Sequence, residues 1–518
     1  MTSAGATVAH VLAIDLGTGG PKVALVTLDG VVIDADHEHV DLILTEDGGV
    51  EQDPDRWWEA ITAATRRVIG RHRAEPLALE AIAVDAQWFG TVPVDDRGKH
   101  LMHAITWLDS RGAPYSRRLF KGPVSIEGYD VRKLRTFIRT AGGIPGHSGK
   151  DPTGHILWLQ HERPDIFAAT ATFLEPADYI NYRLTGRMVS SFDTIAGHWV
   201  TDNRDIDHVR YDDQLLQLSQ IPRSKLPELV PTASVVGSLT PEAAADLGLG
   251  HGIKVVTAMG DLHAAVLGSG AVSDYAGHLY IGTSAWVTCH VPWKRTDVFH
   301  NQASIPSALP GRYFIANENQ TAGRCIEWLR DILQADFATF EKAVNESSPG
   351  SGRTIFTPWL NGERTPVDDS SLRAGWHNLS LGTTHADLIR SVYEGVALNA
   401  RWLMTAVEKF AKHRFDGLNF IGGGAQSDAW CQILADVLDR DIRRVADPQR
   451  ANARGAAFLA SIALGHATAE QLAAKVRIQD TFVPQPLNRA IYDELFGEFV
   501  ALYKHNRKIH RRLNQERA

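Results

Sequence analysis

The sequence predicts an α/β protein of two or more domains, and three observations carry that reading. At 518 residues the chain exceeds what a single hydrophobic core organises. Short apolar strands ending in glycine turns alternate with stretches of helical periodicity. A strand, a Gly-Thr turn and a second strand open the chain and return near its midpoint, where Gly282-Thr283 echoes Gly17-Thr18.

Composition narrows the function classes. Apolar residues make up 44% and charged residues 22%, as in globular proteins, and a net charge of −8 gives no reason to expect nucleic acid. The three cysteines (Cys289, Cys325, Cys431) are widely spaced, which excludes a disulfide scaffold or zinc ribbon. They read as small core residues in a reducing cytosol. The first apolar run, Val8 to Ile14, contains His10 and stops at Asp15, too short for a membrane span and without a basic leader. A soluble, cytoplasmic protein is expected.

Taken in order, Val8 to Val26 reads as two strands joined by a glycine turn, and Asp29-Gly30 turns the chain into a third. In the first turn Asp15 could hold Mg2+ through water. Glycines would let backbone N–H groups reach phosphate oxygens, Thr18 adds a hydroxyl and Lys22 a positive charge. It is not a Walker A loop, and a glycine-rich hairpin needs no ligand to explain it. Pro54 to Arg73 reads as a helix with Trp57, Ile61 and Val68 on one side. Ala81 to Asp85 is a short strand leading into Gln87-Trp88-Phe89-Gly90. The two-residue spacing of Trp107, Asp109 and Arg111 puts them on one face of an extended segment, suited to stacking on a sugar and bonding its hydroxyls. The alternative is a surface turn with a local Asp–Arg pair.

Residues 112–150 suggest one helix and a mobile loop; Asp151 to Leu159 begins another helix; 173–197 reads as strand, helix and a Thr185-Gly186 stop. Residues 203–250 are loop-rich. From Val255 to Ser284 a strand ends in Met259-Gly260, Asp261 stands at the turn, a small-residue helix follows, and a second strand ends in Gly282-Thr283-Ser284. An acid there serves either as a helix cap or in a phosphate-handling site. Asn317 to Leu333 reads as a helix with Cys325, Leu329 and Ile332 on one face, and His385 to His413 as a long helix. Asn419 to Ser427 is a strand feeding three glycines, bare enough for a nucleobase to lie close, with Ser427 or Asp428 capping the next helix. The rest reads as helical with a basic tail.

Seven stretches agree in order. They are IDLGTGGPKVAL (14–25), WLDSR (107–111), AMGDLHAAVLGSG (258–270), YIGTS (280–284), PWLNGERTP (358–366), GWHNLSLGTTHADLIRSVYEGVAL (375–398) and GGGAQSDAWCQILADVL (422–438). From about residue 10 to 505 the chain resembles the FGGY carbohydrate kinases, nearest the xylulokinase-like branch. The resemblance implies two actin-like (ribonuclease H-like) α/β ATPase domains, residues 8–268 and 269–505, flanking a catalytic cleft that closes over sugar and ATP. It implies ATP-dependent phosphorylation of a sugar hydroxyl, most readily of a ketopentose such as xylulose. Asp261 matches the general base and Asp15 the acid that works with Mg2+. Gly17, Thr18 and Lys22 match the first phosphate turn, Gly282, Thr283 and Ser284 the second, and Gly423, Gly424, Ala425 and Ser427 the adenosine side. Gln87, Trp107 and Asp109 fall where the family contacts its sugar. A homodimer is compatible with the resemblance; nucleic acid and membrane partners are not expected.

Two departures qualify it. Where the family's first phosphate turn continues with Ser or Thr, this chain has Gly19, Gly20 and Pro21, and each charge-assisted bond forgone would remove roughly 1.5–3 kcal/mol. The xylulokinase-like Gln-Met-His-Gly becomes Gln87-Trp88-Phe89-Gly90, and Phe89 cannot donate to a hydroxyl. A kinase of another ketose or polyol therefore stands as an alternative. So does a catalytically weak, sugar-binding regulatory relative, and behind both an actin-like chaperone or polymerising ATPase.

Overall fold

Two twisted sheets with helices packed against them form the architecture of the computed structural model, which describes residues 9–72 and 78–514. Val8, Arg73 and the end of the basic tail, all included in the expectations above, lie outside the described residues.

The first sheet begins with strands β1 (Ala9–Gly17), β2 (Gly20–Thr27) and β3 (Val32–His37), followed by helix α1 (Pro54–Arg71) and strand β4 (Ala78–Ala86). Strands β5 (Val235–Ser238), β6 (Lys254–Val256) and β7 (Met259–Gly260) complete it, and helix α2 (Asp261–Gly268) leaves its end. The strand order is β5-β6-β4-β1-β2-β3, with β7 also paired to β4. Strands β1, β4, β6 and β7 are parallel; β2 pairs antiparallel with β1, β3 with β2, and β5 with β6. Central strands buried on both faces read as unbroken apolar runs, and β1 is one. Leu12, Ile14 and Leu16 enter the core beneath α1, while Val11 and Ala13 enter the core on the other face. Helix α1 starts as its sequence predicts, with the Asp53 side chain accepting from the Asp55 N–H and Pro54 in the first turn.

The second sheet contains β8 (Gly277–Ile281) and β9 (Ala285–Thr288), then, after helix α3 (His385–Ala411), strand β10 (Gly417–Ile421). Helix α4 (Asp428–Leu438), strand β11 (Asp441–Val445), helix α5 (Ala451–Ala463), strand β12 (Ile478–Phe482) and helix α6 (Arg489–Asn514) follow. The order is β9-β8-β10-β11-β12, with the centre parallel and both edges antiparallel. Helix α3 opens on a capping box between Thr384 and Asp387. Helix α5 does not stay with its own sheet. Ala456, Ala457, Leu459 and Ala460 share a core with Val11, Ala13, Ala81, Ala83 and the α2 residues Ala264 and Leu267. The crossing of α2 and α5 is close enough that a Cβ on Gly455 would lie 2.0 Å from the Ala264 carbonyl oxygen.

Several local expectations fail for identifiable reasons. Trp107 to Arg111 is a turn, closed by the Asp109 N–H donating to Thr106 O at 3.0 Å. Residues 112–150 hold two helices, Ala113–Phe120 and Val131–Thr140, and the loop-rich 203–250 region still contains the helices Asp213–Ser219 and Pro241–Leu247. The helix expected from Asn317 begins only at Gly323, because Asn319 bridges Ala285 at the edge of the sheet and Asn317 bonds the Val287 backbone. Its Ile332 is 57% exposed, so the buried face is carried by Cys325, Ile326 and Leu329. The C-terminal stretch read as all helical contains β11 and β12, whose polar residues mask their period. All three cysteines are buried and unpaired by disulfide.

Candidate active site

At the carboxyl end of the first sheet, register lines up a row of charged side chains. Lys22 on β2 stands opposite Asp15 on β1, Asp15 opposite Asp85 on β4, and Asp85 opposite Met259 on β7, two residues before Asp261. Alternation along a strand puts Asp15 on the side of Val11 and Ala13, and Asp85 on the side of Ala81 and Ala83, the face covered by α2 and α5. Lys22 Nζ lies 3.4 Å from Asp15 Oδ2, and that carboxylate holds the lysine above its ordinary range. Asp261 is half-buried at the first position of α2. It does not cap the helix in the usual way; its Oδ1 accepts from the Leu262 N–H at 2.8 Å. Burial and the neighbouring Asp15 carboxylate push Asp261 up to about 7. A carboxylate so placed can take a proton from a hydroxyl near neutral pH.

Asp85 was not singled out from sequence. Its carboxyl is wholly buried, and burial, with Asp15 and Asp261 beside it, holds it well above the usual carboxylate range. The available signal was that AIAVD repeats the pattern of LAID, an apolar strand ending in an acid.

The Gly17–Gly20 turn joins the row to a hydrogen-bonded patch. Thr18 Oγ1 accepts from Trp107 Nε1 at 3.0 Å and donates to Gln87 Oε1 at 3.3 Å. Gln87 donates to Gln52 Oε1 at 2.7 Å, and Gln52 donates back to Thr18 O at 2.8 Å. Thr18, expected with the phosphates, is thus brought together with Gln87 and Trp107, expected with the sugar; Gln52 was missed. Asp109 sits apart from them in its bonding. Its carboxylate accepts from the Val50 N–H at 2.9 Å and from the Arg111 N–H and Nε, and Arg111 lies over the Trp158 ring. Gly20 has φ +118°, and a Cβ there would fall 2.3 Å from Glu38 O, so the chain's departure at this position meets a steric demand.

Phe89 also adopts positive φ, 64°, and its ring stacks on Trp88 at 4.6 Å between centroids. Glu175 Oε2 accepts the Gly90 N–H at 3.1 Å and holds this bend. Trp88 lies against Gly260, so the aromatic pair borders the approach to Asp261.

From the second sheet, the β8–β9 turn presents Gly282, Thr283 and Ser284, with Thr283 exposed. The turn is anchored by the Gly323 N–H donating to Gly282 O at 2.8 Å and the Ala322 N–H to Thr283 O at 2.9 Å. Gly422, with φ +96°, and Gly424 pack on Ile281, while nothing lies within 4 Å of where a Gly423 Cβ would be. The Gly423–Gly424 turn and the Gly282–Ser284 turn are therefore adjacent. Ala425 is buried, and the Ser427 hydroxyl is engaged, accepting from the Trp430 N–H at 3.0 Å and donating to Glu341. Tyr280, unforeseen from sequence, stacks on Trp286 at 3.9 Å; its phenol is raised to about 12 by burial and by the charge of Asp261. Glu318, paired with Arg364 at 2.5 Å, also acts on Asp261 electrostatically. Groups from both sheets thus converge on one acid.

Comparison with known proteins adds the following. The N-terminal-domain model of the FGGY family of carbohydrate kinases matches residues 10–268, and its C-terminal-domain model matches residues 278–464. A xylulose kinase of Staphylococcus epidermidis is 28% identical over 513 residues, covering 96% of this chain and 97% of that protein. A gluconokinase of Bacillus subtilis is 23% identical, covering 88% of each. The crystal structure of a "xyloylose kinase" from Brucella ovis superposes with a TM-score of 0.87 at 26% identity, covering 96% of this chain and 100% of the other. Among the described residues no helix is long and apolar enough to cross a membrane.

Proposed function

The chain belongs to the FGGY family of carbohydrate kinases, and from that premise we propose that it transfers the γ-phosphate of ATP to a hydroxyl of a small ketose, a ketopentose such as xylulose before others. The observation that carries the mechanism is Asp261, a half-buried acid raised to about 7 at the seam of the two sheets. Asp261 would accept the proton of the attacking sugar hydroxyl, a contribution typically worth ~10²–10⁴-fold in rate. Gln87 and Trp107, tied through Thr18, would orient the sugar, while Asp109 would act by fixing the turn that carries Trp107. Phosphoryl transfer asks the protein mainly for positioning and charge stabilisation. Lys22 would meet the transferred group's negative charge, with the backbone of Gly17 and of Gly282, Thr283 and Ser284 on either side of it. Gly423 and Gly424 would face adenosine, Ala425 backing them and Ser427 acting through the helix it starts.

A divalent cation fits this site on the chemistry of its donors: among the described residues the buried carboxylates of Asp15 and Asp85 meet one nearby ammonium, that of Lys22. Asp15 would hold Mg2+, which when bound neutralises phosphate charge. Xylulose kinases among the near full-length relatives support the ketopentose, while gluconokinases keep acid sugars in the test.

The test is ADP release measured over pentuloses, hexuloses, polyols, glycerol and gluconate, with Asp261→Asn as control. Turnover highest with a ketopentose and lost in the variant is the expected outcome. Turnover confined to gluconate, or persisting in Asp261→Asn, would overturn the substrate or the base respectively.

A further inference from the structure

We propose that Asp85 is a second carboxylate of the cation site, acting with Asp15 on the divalent ion that accompanies the nucleotide; this rests on the kinase reading above. Asp15 and Asp85 are direct partners in the parallel β1–β4 register and project from the same face of the sheet. Asp85 is 0% exposed, and among the described residues its Oδ2 has no hydrogen-bond donor, only the Asp15 carboxyl beside it. Its Oδ1 receives one long contact, 3.4 Å, from the Asn452 amide on α5. Asp109 and Asp261 each accept backbone N–H groups. Asp85 receives none among the described residues, although burying an unmatched carboxylate beside two others is unfavourable. Lys22, the ammonium facing the row, is already held against Asp15. An apolar or amide side chain would fill the same space without that penalty, so the carboxylate answers a charge that arrives with the ligand. Mg2+ takes hard oxygen donors and binds through one or two carboxylates together with substrate phosphates, and Asp15 with Asp85 supplies the two.

The experiment measures Mn2+ binding by electron paramagnetic resonance to the full chain, with and without ADP, for the wild type, Asp85→Asn, Asp85→Ser and Asp15→Asn. At least a tenfold weakening in both Asp85 variants, comparable with Asp15→Asn, is expected, with the thermal shift caused by sugar retained. Mn2+ affinity within twofold of wild type in a folded Asp85 variant, while Asp15→Asn is impaired, overturns the proposal. If neither Asp85 variant folds, wild-type crystals grown with Mn2+ and ADP decide. An anomalous peak contacting both acids directly or through one water supports the assignment, and a peak beyond that reach of Asp85 overturns it. Because binding is read without turnover, failure of the kinase reading would appear separately in the ADP-release screen.

Discussion

The hairpins β1–β2 and β8–β9 hold the same place in their sheets: each is antiparallel within itself and each first strand pairs in parallel with a later one. Their ends differ. The first carries Asp15 opposite Lys22, with a tight Gly17–Gly20 closure. The second carries Ile281 opposite Ala285 and Tyr280 opposite Trp286, and its turn leaves Thr283 in the open. One hairpin therefore contributes charge, the other backbone and aromatic faces. A pair of like elements can divide a bisubstrate reaction this way, proton and cation chemistry on one side and nucleotide contact on the other. Asp261 lies on the charged side, yet Glu318 from the other side acts on it, and it acts in turn on Tyr280.

Substitutions on the charged side should cost rate. Asp261→Asn is expected to lower kcat by ~10²–10⁴-fold while leaving nucleotide affinity intact; steady-state kinetics with separate nucleotide titrations would show it, and near-normal kcat removes Asp261 as the base. The same group sets a pH dependence. The carboxylate is the active form and its folded value is about 7, so kcat/KM should fall about tenfold per pH unit below that point. Stability runs the other way. A carboxyl raised in the folded state favours folding at low pH and loses that contribution as pH rises through about 7. Thermal melts of Asp261→Asn at pH 8 should therefore lie above wild type.

Turn glycines separate structure from contact. Gly20→Ala meets Glu38 O and a forbidden φ, and a loss of roughly 2–4 kcal/mol is expected in denaturant titrations. Gly422→Ala meets Ile281 O at 2.4 Å and should lose roughly 1–3 kcal/mol. Gly423→Ala, with open space around it, should leave the melt unchanged and raise only the KM for ATP. Equal effects on ATP from Gly20 and Gly423 would erase the division between the hairpins.

Much of this was legible in the sequence. The central strands announced themselves because both faces are buried, and Asp15, Lys22 and Asp261 were recognisable at strand ends. Asp85 was not, because one acid ending a strand looks like any other until register sets it beside Asp15. Trp107 and Asp109 were read as extended because alternate spacing does not reveal a turn closed by its own backbone. Asn317 and Asn319 fell within a helical pattern but are claimed by the edge of the second sheet. Thr18 was assigned to phosphate by its loop, whereas its hydroxyl bonds Trp107 and Gln87 across 89 and 69 residues of chain.

Helix α5 has a consequence for how the protein is made. Ala456, Ala457, Leu459 and Ala460 finish the core begun by Val11, Ala13, Val26 and Ala83. The half of the molecule synthesised first therefore lacks part of its interior at least until residue 463 has been joined. At ~5–20 residues per second, that is roughly 10–40 s after residue 268 is joined. Through that interval this face of the first sheet is covered by α2 alone, and a fragment ending at 268 would stay so. The acids of the site meet the second part of their helical cover only once residues 451–463 have been made.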